Sequence, residues 1–563
     1  MFKHALIAAT ALGGLMVAAP MASSQAMFES TGLGDIDPWG VGTLSQADGA
    51  FPLTLWQGSE AEDLLPVLMR IDARSLTPVS RDILRRVLLS SSRAPEGEGA
   101  DQLLAQRIRL IWALGELDAY AELARQLPQI DGIPTSLEAQ TELSLIRGNL
   151  ASACSSVRSA SQSTPYMFAA RATCFALEGN FSSANLALEL GAEMGNIDPW
   201  VVTAIGALQT LPAEPTPRDL RRLPSANFTS GLSTALSLAG SFPVSDATLE
   251  AMNPGIALEL AQRSDTSRAL RINSADIAAY AGLMSVDARR RAYRTDPVPT
   301  VPPNEDGTPG EVDETINAPV NLMDEALQMA NDRGSEEADR VDIYRRVLTL
   351  SGADTEKYTA DAGLLVQHLS RLRDLDALSN NGEFFALAAF AAGDARQSSR
   401  FQRVVEIEGG PQPDLFLQSW LDAMRILTGM DTSAESARLV STRLAQVGED
   451  TRAAQVSEML YTMLLQEHPI SPVARDFLTG DAGSTLSEGN AVDIQSRILL
   501  RSAFTSGATG EALIQLISIL GARPDMITPE DLGDVLQLLE AEGFTDVAEA
   551  LAIEALNYQQ VRD

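Results

Sequence analysis

Gly115-Glu116-Leu117, Gly148-Asn149-Leu150 and Gly179-Asn180-Phe181 recur at intervals of 33 and 31 residues, each following one apolar stretch of helical spacing and opening another. A glycine there lets the chain turn sharply at a helix end, and the apolar residue two positions later staples the next helix. Ala153 and Ala184, each five residues after its glycine, permit close contact between helices, while Tyr120 stands at that place in the first copy. The pattern predicts helical hairpins in series, with repeat turns at Gly115, Gly148 and Gly179.

The same periodicity runs outward from these turns. Leu104, Ile108 and Ile111, then Ala139, Leu143 and Ile146, and far downstream Leu532, Val535, Leu536 and Leu539 followed by Ala548, Leu551, Ala552 and Ala555 repeat at three to four residues. Helix starts are marked by Thr135 with Glu138, by Asp198-Pro199 and by Thr528-Pro529. No run of alternating β-branched residues interrupts them, so the chain reads as all-α.

The glycine turn resembles that of the tetratricopeptide repeat, Gly-x-aromatic-x-x-Ala. The resemblance covers about 100 residues, with weaker echoes at Gly393-Asp394 and at Gly543 with Ala548. It implies an α-α superhelix. The whole chain is also similar to exported helical proteins of Gram-negative bacteria, which implies a periplasmic setting and supplies no activity.

Two proline-rich breaks divide the pattern: Pro212, Pro215, Pro217 and Pro224, and then six prolines with five acids from Pro297 to Pro319. The expected organisation is a signal peptide over 1–26, an extended arm over 27–58 and a tetratricopeptide-like array over 59–209. A helical segment of net positive charge over 210–296, a flexible acidic linker over 297–319 and a second helical array over 320–563 follow.

Lys3, the apolar run from Ala5 to Ala19 and the small residues Ser24 and Ala26 make the signal peptide, too short an apolar run to cross a bilayer. Cleavage near Ala26 predicts a periplasmic or secreted protein without a membrane span. In an oxidising compartment the two cysteines, Cys154 and Cys174, are expected to pair; two buried thiols are the alternative.

A net charge of −33, with lysine only at Lys3 and Lys357, argues against nucleic acid as a partner. The chain lacks the Gly-x-x-x-x-Gly-Lys loop, the Gly-x-Ser-x-Gly elbow and a His-Glu-x-x-His zinc site, and after residue 26 its histidines are His368 and His468 alone. Both are read as ordinary packing or surface residues. No catalytic, cofactor or metal residues are assigned. Gly282-Leu283-Met284 echoes a fragment of lytic transglycosylases, but without the preceding Glu-Ser it reads as helix interior.

Between Arg218 and Arg294 ten arginines face seven acids, and Arg289, Arg290, Arg291 and Arg294 form a candidate docking patch for a carboxylate- or phosphate-bearing partner. Trp39, Phe51 and Trp56 either dock the arm onto the first helices or present it to a partner. The expected function is a periplasmic scaffold or adaptor, not an enzyme, that holds an envelope protein or peptide. The alternatives are a wall- or glycan-acting enzyme with an unlocated carboxylate pair and a structural envelope protein.

Overall fold

Prolines and hydroxyl side chains decide where the helices begin. Thr77, Thr135, Thr164, Ser230 and Thr528 each accept a backbone N–H three residues ahead, and Pro78, Pro165 and Pro529 fill first positions that need no donor. Thr135 and Glu138 complete a reciprocal capping box. A computed structural model describes residues 37–295, 318–405, 415–428 and 490–556, apart from 131, 213–215, 353, 375–377, 379–380 and 522, with isolated positions between 436 and 442. The expected signal peptide, residues 27–36 of the arm, residues 297–317 of the linker and His468 lie outside the described residues.

The first helices are α1 (Ala61–Arg70), α2 (Pro78–Leu89), α3 (Ala100–Ala113), α4 (Leu117–Gln126), α5 (Ser136–Ile146), α6 (Leu150–Ser159), α7 (Pro165–Leu177), α8 (Phe181–Met194) and α9 (Pro199–Thr210). Then come α10 (Pro217–Leu220), α11 (Gly231–Ala239), α12 (Asp246–Ala251), α13 (Pro254–Gln262), α14 (Arg268–Tyr280) and α15 (Val286–Ala292). The later ones are α16 (Leu322–Asn331), α17 (Glu337–Ser351), α18 (Thr355–Leu369), α19 (Gly382–Ala391), α20 (Ala395–Val405) and α21 (Leu415–Leu427). The last described helices are α22 (Ile494–Ser506), α23 (Thr509–Leu520), α24 (Pro529–Ala541) and α25 (Thr545–Ala555).

The protein is all-helical over these residues; extended pairing among them is confined to two isolated bridges, Glu60 with Glu96 and Asn490 with Ile527. No described helix is long and apolar enough to cross a membrane.

Gly115, Gly148 and Gly179 have φ of 83°, 76° and 77° and lie between α3 and α4, α5 and α6, and α7 and α8. Gly393, Gly507 and Gly543 repeat that conformation before α20, α23 and α25. At Gly115 the missing side chain also matters for packing, because a Cβ there would meet the Gly255 backbone nitrogen at 2.5 Å. Gly282 is a correction: with φ of 71° it ends α14 rather than continuing a helix, so Gly282-Leu283-Met284 is a turn.

Packing joins distant parts of the chain. α2 lies against α3, α23 and α25, so helices near the start of the described chain meet those at its end. The arm residues 37–58 lie at this junction: Trp39, Phe51, Leu55 and Trp56 are buried, the Gly510 N–H donates to the Leu55 carbonyl at 2.7 Å, and Phe51 meets Phe544 edge to face. Arg107, buried at 3% exposure, donates to the carbonyls of Leu88, Ser90 and Val41 and lies over the Trp39 ring. One core therefore contains residues from both ends, Trp39 to Ile133 and Met323 to Leu556. A second gathers residues between Leu117 and Ala292, where α11 packs on α5, α7 and α9. The later part of the expected array 59–209, from Leu117 on, shares this second core with the expected segment 210–296.

Candidate functional site

Among the described residues, two cavities and an exposed apolar face of α8 are candidates for engaging something outside the chain, and α22 also exposes Ile494, Ile498 and Leu499. The larger cavity, about 870 Å³, opens where α2, the α14–α15 turn, α18 and α25 converge. Its walls are largely apolar, with Val79, Leu283, Met284 and Ile553 beside Ala279, Ala360 and Ala392.

Most of its charged groups are held by the protein itself. Glu554 of α25 accepts the Val79 N–H at 2.8 Å, and Arg85 pairs with Glu116 at 2.6 Å. Arg289 of α15 is 1% exposed and binds Asp276 at 2.9 Å and Asp361 at 2.6 Å. Tyr280 donates to Asp361 at 3.2 Å, Tyr293 donates to Asp276 at 2.7 Å, and the Asn321 amide reaches Asp276 at 2.9 Å. Arg268 pairs with buried Asp324 at 2.7 Å and donates to the Ala318 carbonyl at 3.1 Å. These bonds tie α14 and α15 to α16 and α18, on the two sides of segment 297–317. Burial raises the Asp361 carboxyl, an effect that Arg289 opposes.

Glu356 of α18 differs. Burial pushes it up to about 7, Arg81 opposes the shift, and Glu554 and Asp354 add to it. A carboxyl whose folded pKa lies above its ordinary 4.5 binds protons more tightly when folded, so its contribution to stability is full below about 4.5 and is lost as pH rises to about 7. Glu356→Gln is therefore expected to gain stability relative to the parent at pH 8 and to show less difference at pH 4. Urea midpoints of both proteins at the two pH values check this; a gap that is the same at both would remove Glu356 as its origin.

The four arginines of the candidate patch do not form one surface, which corrects the sequence reading. Successive helical residues point about 100° apart. Arg289 thus turns inward to two carboxylates, Arg290 is half-buried and paired with Asp287 at 2.6 Å, and Arg291 and Arg294 alone are exposed. Cys154 on α6 and Cys174 on α7 are joined as a disulfide, both buried, with Cα atoms 5.5 Å apart. His368 lies on α18, where burial first, and then Arg371 and Arg290, push it down to about 4. It is neutral at physiological pH. Among the described residues no group of three or more His, Cys, Asp or Glu is placed to hold a metal.

Sequence reasoning missed the exposed face of α8. Ala184, Ala187, Leu188 and Gly191 face inward, and a Cβ on Gly191 would meet Ile197 and Phe168. Leu186, Leu190 and Met194 lie on the opposite side, exposed at 57%, 45% and 57%, with Val202 of α9 also exposed. The spacing i, i+4, i+8 was the available signal, hidden because α8 is apolar on both sides.

Compared with protein-family models, curated proteins and solved structures, the chain matches none.

Proposed function

We propose that the chain is an exported adaptor or scaffold of the cell envelope that holds another envelope protein or peptide and performs no catalysis of its own. The observation that carries this reading is the α8 stripe. Leu186, Leu190 and Met194 make a continuous apolar ridge in water, and exposed Glu189 and Glu193 run beside it. A ridge of that kind is a contact surface for a partner that covers it, and a helix with an apolar face edged by Lys or Arg has the matching chemistry.

The positive-φ glycines between α3 and α4, α5 and α6, and α7 and α8 support reading these hairpins as tetratricopeptide-like repeats of a superhelix. Residues 1–26 support a periplasmic location through their charged, apolar and small-residue order. The pairing of Arg289, Asp276 and Asp361 supports a binding role over proton transfer, because those groups already satisfy one another.

A photo-reactive residue at position 190, with the more exposed position 350 on α17 as the control, tests the adaptor reading in the native envelope. The expected outcome is one dominant adduct from position 190 alone. Leu186→Glu combined with Leu190→Glu is expected to abolish that partner's capture while moving unfolding by no more than about 0.5 kcal/mol per site. Indistinguishable adducts from both positions, or capture untouched by the double substitution, would sink the proposal.

A further inference from the structure

Four of the buried carboxylates among the described residues have arginine partners. Arg289 serves Asp276 and Asp361, Arg268 serves Asp324, and Arg497 serves Asp531. Glu554 lines the larger cavity and accepts the Val79 N–H. Glu138 and Glu142, one turn apart on α5 and 8% and 6% exposed, have no ion pair to any described cationic side chain. Neutral donors hold them from behind. Glu138 accepts the Thr135 N–H at 2.8 Å and the Thr164 hydroxyl at 2.6 Å, and Glu142 accepts the Gly231 N–H at the start of α11.

Both carboxylates line the second cavity, about 810 Å³, a volume in the range of small-molecule sites. Three aromatic rings share its wall. Trp112 and Tyr120 stand 4.8 Å apart between centroids, and Tyr166 places a buried hydroxyl beside Glu142 without a well-formed hydrogen bond. Leu65, Met69 and Ile133 complete an apolar rim.

Carboxylates without a counter-charge, lining one cavity with three aromatic rings, have the chemistry that receives a desolvated cation. We propose that this cavity binds an organic cation, an amine or quaternary ammonium with apolar substituents, whose charge lies between Glu142 and the rings of Trp112, Tyr120 and Tyr166. No residue of α8 lines the site, which stands or falls separately from the adaptor reading. Arg109 is the cavity's one lining cation and sits exposed at the rim, so it sets an entry barrier without neutralising the buried acids.

Burial raises Glu142 to about 6, with the Gly231 N–H and Tyr166 opposing and Glu138 adding to the shift. The titratable groups around it are Glu138 on its own helix, Tyr120 of α4, Tyr166 of α7 and Arg109 of α3; α11 presents only its backbone N–H and the Ser230 hydroxyl. Tyr120 and Tyr166 are both raised by burial and stay protonated throughout the useful range. A cation that needs Glu142 ionised therefore binds more weakly as pH falls through about 6.

Calorimetric titration of the full chain decides the matter, using benzyltrimethylammonium, its uncharged carbon isostere neopentylbenzene, and a short lysine-containing peptide. Saturable binding of at least one cation, at least tenfold tighter than the isostere, is expected, weakening by about tenfold between pH 7 and pH 5. Glu142→Gln, which keeps an oxygen for the Gly231 N–H, is expected to lose that preference and the pH dependence while melting as the parent does. Tighter binding of the quaternary probe assigns the site to a free small cation; tighter binding of the peptide assigns it to a partner's side chain. Equal affinity for cation and isostere, or no saturable binding of either cation, overturns the proposal whatever is found at the α8 ridge. Should Glu142→Gln unfold, Trp112→Leu supplies the second variant, and cation binding unchanged by it is equally fatal.

Discussion

Arg289→Met is expected to destabilise the protein by about 3–5 kcal/mol, the cost of leaving a buried charge without its partner. Arg289 is nearly inaccessible and is shared by Asp276 of α14 and Asp361 of α18, so its removal strands two carboxylates. Urea unfolding followed by circular dichroism measures the loss. The cause is separable: adding Asp276→Asn and Asp361→Asn to Arg289→Met should recover much of the stability, because the stranded charges are then gone. An unchanged midpoint in Arg289→Met would show that these bonds do not hold α14, α15 and α18 together. A triple variant no better than the single one would attribute the loss to packing, since the guanidinium also lies over the Tyr280 and Tyr293 rings.

Removing the Cys154–Cys174 bond is expected to cost about 3 kcal/mol, through the loop-closure entropy regained by the unfolded chain. The cysteines are 20 residues apart and connect α6 with α7, so the bond staples one hairpin to the next. Both are buried, and reductant alone should leave them unmodified until the chain opens. Cys154→Ser with Cys174→Ser, compared with the parent by urea midpoint, gives the energy; mass analysis after alkylation, with and without reductant in denaturant, gives the redox state. Two alkylated thiols in unreduced denatured protein would remove the bond, and equal midpoints would remove its contribution.

The helical content was legible because its determinants are local. Thr135 with Glu138, Thr164 with Pro165 and Thr528 with Pro529 each cap a helix within four residues of sequence. Gly115, Gly148 and Gly179 mark turns for the same reason, since a left-handed backbone position depends on the residue that occupies it. The run Arg289-Arg290-Arg291 was misleading by the opposite logic. Adjacency in sequence is dispersal around a helix, and which of the three turned inward depended on Asp276 and Asp361, 13 and 72 residues away.

The cation cavity was invisible for a related reason. Glu138 reads correctly as a capping residue, and nothing in its neighbourhood says that Glu142 will meet the start of α11 at Gly231, 89 residues later. Nor does the stretch around Trp112 announce that Tyr166 will share its wall.

By itself, then, the sequence determined the all-helical character, where helices start and turn, and the acidic composition, all of which follow from short-range sterics, hydrogen bonding and residue counts, while the pairing of Cys154 with Cys174 was an expectation that the structure decided. The tertiary structure alone decided that Leu55 meets Gly510 and Phe51 meets Phe544, that Arg289 is buried, and that Glu138 and Glu142 are buried with neutral donors as their partners. Those outcomes depend on which apolar faces cover one another across hundreds of residues, and burial, the quantity that sets charge pairing and pKa, has no value until those faces have met.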